Sequence, residues 1–269
     1  MNLIELRSVS GTYAKGSVQD VSFRLPNGKT YGVFSPSYAD ATALLALMGG
    51  ARTPSCGNIL AGGFDMHREA KKARRGIAFL GADLLPDDEL TPIEYLMTVA
   101  DARDLAYDKT LRRVYELLEI ADLLDQKESL IANLSHGQKR TLCLLQLVLG
   151  KPEILILTSP LSGLTPKDAQ KMRDLIRYFG DTYTIFLSTP SSHDLCEMCD
   201  EIIVLQNGTL KTVLAASDES LAAELEVAPA ESAPAPAPPK KQGSTRWKML
   251  LQNSGEYEVL DNEEKEGKK

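Results

Sequence analysis

The chain has 269 residues, of which 43% are hydrophobic and 25% charged, and this composition fits a globular domain with a sizeable core. Its formal net charge of −7 argues against general nucleic-acid or anionic-membrane binders, because both classes need a basic face. No apolar run approaches the ~18 residues of a membrane-spanning helix, and the first residues do not resemble a signal peptide. We therefore expect a cytosolic protein.

Strand-like and helix-like stretches alternate along the first 225 residues. Short apolar or alternating runs that end at turns predict strands, and apolar residues at helical spacing predict helices. In chain order the sequence predicts strands 20–25 and 31–34, helix 41–48, strand 77–80, helices 91–124 and 138–149, strand 154–157, helix 167–179, and strands 184–188 and 202–205. Strands that alternate with helices form a parallel sheet covered on both faces, so an α/β fold is expected.

The loop after the second predicted strand has the position and length of a phosphate-binding loop. Such a loop reads G-x-x-x-x-G-K-[ST]: its glycines let backbone N–H groups surround phosphates, its lysine reaches the terminal phosphates and its hydroxyl holds magnesium. Here Ser35 and Asp40 replace the glycines, Ala41 replaces the lysine, and only Thr42 matches. Tyr38 adds a side chain where the loop needs open backbone.

Asp40 has two interpretations. A carboxylate ~4 Å from a phosphate oxygen, at an effective dielectric near 20, costs about 4 kcal/mol, or roughly a thousandfold in affinity. Asp40 would then repel a triphosphate. Alternatively, it caps the helix that is predicted to begin near Ala41, where the helix dipole favours an anion.

Cys196 and Cys199 form a C-x-x-C pair in a predicted helix, a spacing found in redox pairs and in half of a zinc site. No second pair of this kind follows, and Cys143 falls within an apolar helical run. Reduced and partly buried thiols are therefore favoured.

The composition changes after residue 222. The segment 223–242 is rich in alanine and proline and is predicted to be an extended linker, because it cannot form a packed core. The tail 243–269 contains the only tryptophan, Trp247. Two interpretations stay open: a disordered tail, or a segment that becomes ordered on a partner with Trp247 and Leu250 as anchors.

The motif Leu134-Ser135-His136-Gly137-Gln138-Lys139-Arg140, at the start of a predicted helix, resembles the LSGGQ signature of ABC transporter nucleotide-binding subunits, with His136 in place of a glycine. Further segments match the family in order: 41–50, 87–96, 154–164 and 199–208. The resemblance covers residues 1–222. It implies a P-loop NTPase fold, with a RecA-like core and mostly parallel sheet, an N-terminal antiparallel β subdomain and an inserted helical subdomain at about 84–140.

Most positions that contact nucleotide in the family carry other residues here. The resemblance places Thr158 at the magnesium-binding Walker B aspartate, Ser159 at the catalytic glutamate, Ala82 at or beside the Q-loop glutamine, Pro190 at the switch histidine and Thr165 at the D-loop aspartate. His193 is a candidate substitute for the switch histidine. Tyr13 stands where the family has the aromatic residue that stacks on adenine. Because phosphoryl transfer depends on positioning and charge neutralisation, the chain alone is expected to hold no ATP or metal and to be inactive.

Three functions remain open. Family members work as head-to-tail pairs, in which each nucleotide lies between one subunit's phosphate loop and the other's signature. In the first and preferred hypothesis, this chain joins an ATP-competent cassette subunit and a transmembrane permease at the cytoplasmic face of the membrane. It would offer Ser135, Gly137 and Gln138 to the partner's ATP and magnesium. The second is a pseudo-ATPase scaffold or regulator in which Ser135 only caps a helix. The third is an ordinary transporter ATPase.

Overall fold

The computed structural model describes residues 2–218 together with Leu221 and Leu225. Its strands are β1 (Asn2–Tyr13), β2 (Gly16–Pro26), β3 (Thr30–Phe34), β4 (Cys56–Ala61), β5 (Phe64–Asp65), β6 (Ile77–Leu80), β7 (Ile154–Thr158), β8 (Thr184–Ser188), β9 (Glu201–Gln206) and β10 (Thr209–Ala215). Its helices are α1 (Tyr38–Met48), α2 (Ala70–Ala73), α3 (Pro92–Asp101), α4 (Tyr107–Ile120), α5 (His136–Val148), α6 (Pro166–Gly180) and α7 (Ser192–Met198). Apart from Leu225, the predicted linker 223–242 and the tail 243–269, with Trp247 and Leu250, lie outside the described residues.

Two sheets organise these elements. The larger has the order β10-β9-β3-β8-β7-β6; its strands are parallel except for β10, which runs antiparallel at one edge. The smaller is antiparallel, with the order β2-β1-β4-β5. The predicted α/β fold, with a mostly parallel sheet and an N-terminal antiparallel sheet, is confirmed. Within the described part of the chain, no helix has the length and apolarity needed to cross a bilayer.

The central strands β3, β7 and β8 are buried over their whole length, because both faces of the larger sheet are covered. On one face, Leu44 and Leu45 of α1 pack with Ile4 of the smaller sheet. On the other face, Leu117 of α4 and Leu142 of α5 belong to a second core cluster. The larger sheet is thus held between the smaller sheet with α1 and the layer of helices that includes α4 and α5.

The predicted strands are found, whereas the predicted helix 91–124 is two helices, α3 and α4. Thr91 begins α3 with a capping box that includes Glu94, and α3 ends at the Ala102 cap. Asp104 in the connection has a φ of 55°, which a helix does not allow. The strands β1, β4, β5 and β10 are not among the predicted ones. Of these, β1 and β10 contain register shifts in their pairing, which disrupt the alternating pattern that identifies strands in a sequence.

All four cysteines are free. Cys143 and Cys199 are buried, whereas Cys56 and Cys196 are exposed. Burial raises the pKa of Cys143 to about 11, so its thiol is protonated at neutral pH. This agrees with the predicted reduced and partly buried thiols.

The hairpin between β1 and β2 packs directly against the first turn of α1. A Cβ added at Gly16 would overlap the carbonyl oxygen of Ala39 and lie 2.9 Å from the backbone nitrogen of Asp40. Only glycine therefore allows this approach between the two backbones.

We expect Gly16→Ala to lower the free energy of unfolding by about 1–3 kcal/mol, because the added methyl forces the hairpin away from α1. Urea denaturation measures the change. Gly76→Ala is the control, since its added Cβ would meet only Glu153 Cδ, at 4.0 Å. Equal losses in the two variants would contradict the packing argument.

Candidate functional site

The candidate residues from separate parts of the sequence converge at one edge of the larger sheet. Ser35 follows β3, Thr158 ends β7, and Ser188 ends β8, opposite Thr158 in the strand pairing. Ala82 follows the neighbouring β6. The carboxyl ends of parallel strands are where α/β folds bind ligands, so this edge is the expected location of a site.

Asp40 lies inside the first turn of α1, which begins at Tyr38. The N-cap is Ser37, whose side chain makes no capping hydrogen bond, so the interpretation of Asp40 as a helix cap is wrong. Asp40 is only 9% exposed, and its Oδ1 accepts the N–H of Ser17 at 2.9 Å. The carboxylate therefore joins the β1–β2 hairpin to α1, within a turn whose positive end favours an anion.

Tyr38 reaches from the loop to the ends of the two central strands. Its phenolic oxygen is hydrogen-bonded to Oγ of Ser159 and lies 3.2 Å from Oγ of Ser188. The matching residue of the motif, Thr42, turns its hydroxyl back to donate to the carbonyl oxygen of Tyr38 at 3.2 Å. Ala41 is fully buried, and Ser35 Oγ is buried with no hydrogen-bond partner in the described part of the chain.

Ser159 connects three parts of the site. Its side chain bonds to Tyr38, its N–H donates to the carbonyl oxygen of Ser188 at 3.0 Å, and its carbonyl oxygen accepts Nη2 of Arg140 at 3.3 Å. Its φ of 48° lies in the left-handed region, which is uncommon for serine. The preceding Thr158 donates its hydroxyl to the carbonyl oxygen of Leu80 at 2.9 Å. Both residues thus use their hydroxyls within the protein.

Arg140 on α5, the last residue of the signature motif, is 1% exposed, and the family resemblance assigns it no role of its own. Its Nη1 donates to the carbonyl oxygens of Ala82 at 2.9 Å and Leu84 at 3.0 Å. Burial lowers its pKa, and its Nε has no hydrogen-bond partner among the described residues. One signal in the sequence was a cation at the start of an apolar helical run. Arg140 thus holds the backbone carbonyl group of Ala82, the predicted Q-loop position.

The predicted signature lies at the start of α5. Ser135 is the N-cap: its Oγ accepts the N–H of Gln138 at 3.2 Å, and Oε1 of Gln138 accepts the N–H of Ser135 at 2.8 Å. A Cβ added at Gly137 would overlap the carboxyl group of Asp168, with Oδ2 2.6 Å away. His136 is exposed, and its Nε2 would lie 3.2 Å from a Cβ added at Gly163. The signature region is therefore packed against the segment that leads into α6.

The remaining candidates lie at the periphery. Tyr13 is half-buried at the end of β1, Pro190 is exposed after β8, and Thr165 caps α6. His193 is exposed on α7, with a ligand atom within 4.8 Å of carboxylate oxygens of Asp194 and Glu197.

That acidic pair does not provide a metal site. Asp194 accepts Nη2 of Arg173 at 2.9 Å, and Glu197 accepts Nη2 of Arg177 at 2.6 Å. The two guanidinium groups already balance the two carboxylates.

Comparisons with known proteins agree with the fold. A family described as ABC transporter matches residues 18–162. The chain is 24% identical over 210 residues to the linearmycin resistance ATP-binding protein LnrL of Bacillus subtilis, covering 77% of this chain and 68% of that protein. It is 29% identical over 195 residues to the daunorubicin resistance ATP-binding protein DrrA3 of Streptomyces coeruleorubidus, covering 72% of this chain and 62% of that protein.

A solved structure has the same fold. It is a dimeric ATP-binding cassette in a post-hydrolysis state bound to ADP and phosphate. It superposes with a TM-score of 0.69 at 20% identity, covering 80% of this chain and 100% of that chain.

We expect Arg140→Met to lower the free energy of unfolding by about 2–4 kcal/mol, because a buried acceptor left unpaired costs about 1–3 kcal/mol. Urea denaturation of the full chain measures the loss. Arg112→Met, at an exposed position of α4, is the matched control and should stay within about 0.5 kcal/mol of the native protein. A stable Arg140→Met protein would show that the buried guanidinium is not a structural requirement.

Proposed function

The chain belongs to the ABC transporter family, and we propose that it is an ATP-binding-cassette subunit whose own nucleotide site has been replaced by internal contacts. One observation carries the proposal. The carboxylate of Asp40 is buried in the first turn of α1 and bonded to Ser17, in a loop that contains no lysine or arginine.

Charge is the first reason that this site disfavours ATP. A helix N-terminus normally offers its N–H groups and dipole to a phosphate. Here that end carries the protein's own carboxylate, and Ala41 provides no cation to offset the charge of a triphosphate. A carboxylate about 4 Å from a phosphate oxygen, at an effective dielectric near 20, would cost about 4 kcal/mol and reduce affinity by roughly a thousandfold.

The residues present also do not fit magnesium. Magnesium in such sites is held by carboxylates, hydroxyls and phosphate oxygens. The β7 end supplies Thr158 and Ser159, whose hydroxyls bond to Leu80 and Tyr38, and Thr42 bonds to its own helix. Nothing in this set supplies the negative charge that the cation requires, so no step of hydrolysis is assigned to this chain.

The proposed role lies in a partner's site. The chain would pair with an ATP-competent cassette subunit and a membrane permease at the cytoplasmic face of the membrane. It would present Ser135, Gly137 and Gln138 to the partner's ATP and magnesium. Two observations support this role. The start of α5 is intact, with Ser135 exposed. The similar cassette structure is a dimer. The named relatives are ATP-binding proteins of drug resistance, which favours an export system.

A pseudo-ATPase scaffold or regulator is the second candidate, and the contact between Gly137 and Asp168 favours it. The carboxyl group of Asp168 lies against the first turn of α5, the turn that the composite-site hypothesis offers to a partner's phosphate. A carboxylate there competes with a phosphate for the positive end of the helix. An ordinary transporter ATPase is disfavoured by the charge and metal arguments together.

The isolated chain is expected to show no saturable ATP binding at 1 mM nucleotide with magnesium, because of the repulsion by Asp40 and the missing lysine. Isothermal titration calorimetry measures the binding, with an ATP-competent cassette as positive control. Magnesium-dependent binding with a Kd below about 100 μM would overturn the proposal.

The Asp40→Asn variant refines this measurement. It removes the charge but keeps an oxygen that can accept the Ser17 N–H, so any residual affinity should rise. Asp181→Asn, at an exposed position after α6, is the matched control and should leave the affinity unchanged. The charge argument fails if both variants behave alike.

The composite site is tested in the complex purified with its native partners. Ser135→Phe should lower the ATPase activity of the complex at least about tenfold, because a lost transition-state contact of 1.4 kcal/mol already gives that factor. Ser217→Phe places the same ring at an exposed position after β10 and serves as the control. Unchanged activity in Ser135→Phe would exclude the composite site and leave the scaffold.

A further inference from the structure

We infer that Tyr38 acts as a built-in substitute for a ligand, fixing the ligand edge of the sheet in one arrangement that does not depend on nucleotide. The inference rests on the proposed function, because the contact lies at the sheet edge that the proposed function leaves without nucleotide. Tyr38 is a positioning residue and not a catalytic one, because it acts by holding Ser159 and Ser188 in place.

The first step is the position of the phenol. Tyr38 belongs to α1, Ser159 follows β7 and Ser188 ends β8, so its hydroxyl touches a loop residue and a strand end that are far from it in the sequence. In α/β folds these chain segments border the ligand crevice. A side chain that bonds to both segments connects them directly.

The second step is hydrogen-bond balance. Each hydroxyl can donate one hydrogen bond and accept two, so the Tyr38, Ser159 and Ser188 hydroxyls can satisfy one another. The carbonyl oxygen of Ser188 also lies 3.4 Å from the phenolic oxygen and accepts the Ser159 N–H. The cluster therefore needs no bound anion or metal to satisfy its polar groups.

The third step extends the connection from the crevice to the surface. The Ser159 carbonyl oxygen accepts Arg140, and Arg140 also holds the carbonyl oxygens of Ala82 and Leu84. Leu84 is 41% exposed, at the surface of this segment. One continuous set of hydrogen bonds thus runs from Tyr38 through Ser159 and Arg140 to the exposed segment at Leu84.

The test removes only the hydroxyl. Tyr38→Phe in the full chain should lower the Tm by about 2–6 °C, since one or two partly buried hydrogen bonds are lost from a domain of this size. Amide hydrogen exchange at 159–162 and 81–85 should rise about threefold or more, while β7 itself stays protected. Tyr107→Phe, on a 66% exposed side chain of α4, is the matched control.

A double-mutant cycle with Ser159→Ala tests the coupling. If the hydroxyls form one unit, the double variant should lose no more stability than the larger single loss, because each single change already breaks the same contact. Full additivity, or a Tyr38→Phe protein that matches Tyr107→Phe in both Tm and exchange, would overturn the inference. Exchange at 159–162 that falls on adding 5 mM magnesium-ATP to the native chain would also overturn it.

The outcomes separate the inference from the proposed function. A native chain that binds no ATP, with an unaffected Tyr38→Phe variant, refutes the role of Tyr38 and leaves the proposed function intact. Tight ATP binding without any change in exchange at 159–162, combined with a destabilised Tyr38→Phe variant, refutes the proposed function and supports the role of Tyr38.

Discussion

The arrangement of this site depends on the hydrogen bonds that meet at Ser159. Its side chain, N–H and carbonyl group bond to α1, β8 and α5, respectively. Its left-handed backbone conformation points the three groups in these different directions. The first turn of α1, the end of β8 and α5 are therefore positioned by one residue. A residue with an uncommon φ persists only where its surroundings determine it, and here three contacts do so.

The buried charges give the site its second constraint. Asp40 and Arg140 carry opposite charges at the same edge of the sheet, yet the hydrogen bonds of each go to backbone groups. Backbone dipoles satisfy a buried charge at the cost of fixing the segments that carry them. The β1–β2 hairpin and the segment 81–84 are held in this way. Charged groups that already bond to the backbone have fewer hydrogen bonds left to offer a ligand.

The sequence predicts the sheet well and the contacts within the site poorly, for a physical reason. Strands such as 154–157 and 184–188 are continuous apolar runs, because a strand buried on both faces tolerates little else. The cap interpretation of Asp40 is wrong because its hydrogen-bond partner is Ser17, 23 residues earlier on β2. Tyr38 and Arg140 reach partners 121 and 58 residues away, and no local pattern encodes such pairs.

The two halves of a composite nucleotide site differ in the number of elements that must supply residues to each half. The phosphate-loop half needs several groups from different elements, so under the proposed function the replacements at Asp40, Thr158 and Ser159 would act together. The signature half needs mainly the exposed start of one helix, which a capping box stabilises without any nucleotide. The start of α5 can therefore persist for structural reasons alone. The capped start of α5 is therefore weaker support for a role in a partner's site than the phosphate loop without a lysine is against independent ATP binding. The carboxyl group of Asp168, which lies against Gly137, adds a negative charge at the same helix end and opposes that role.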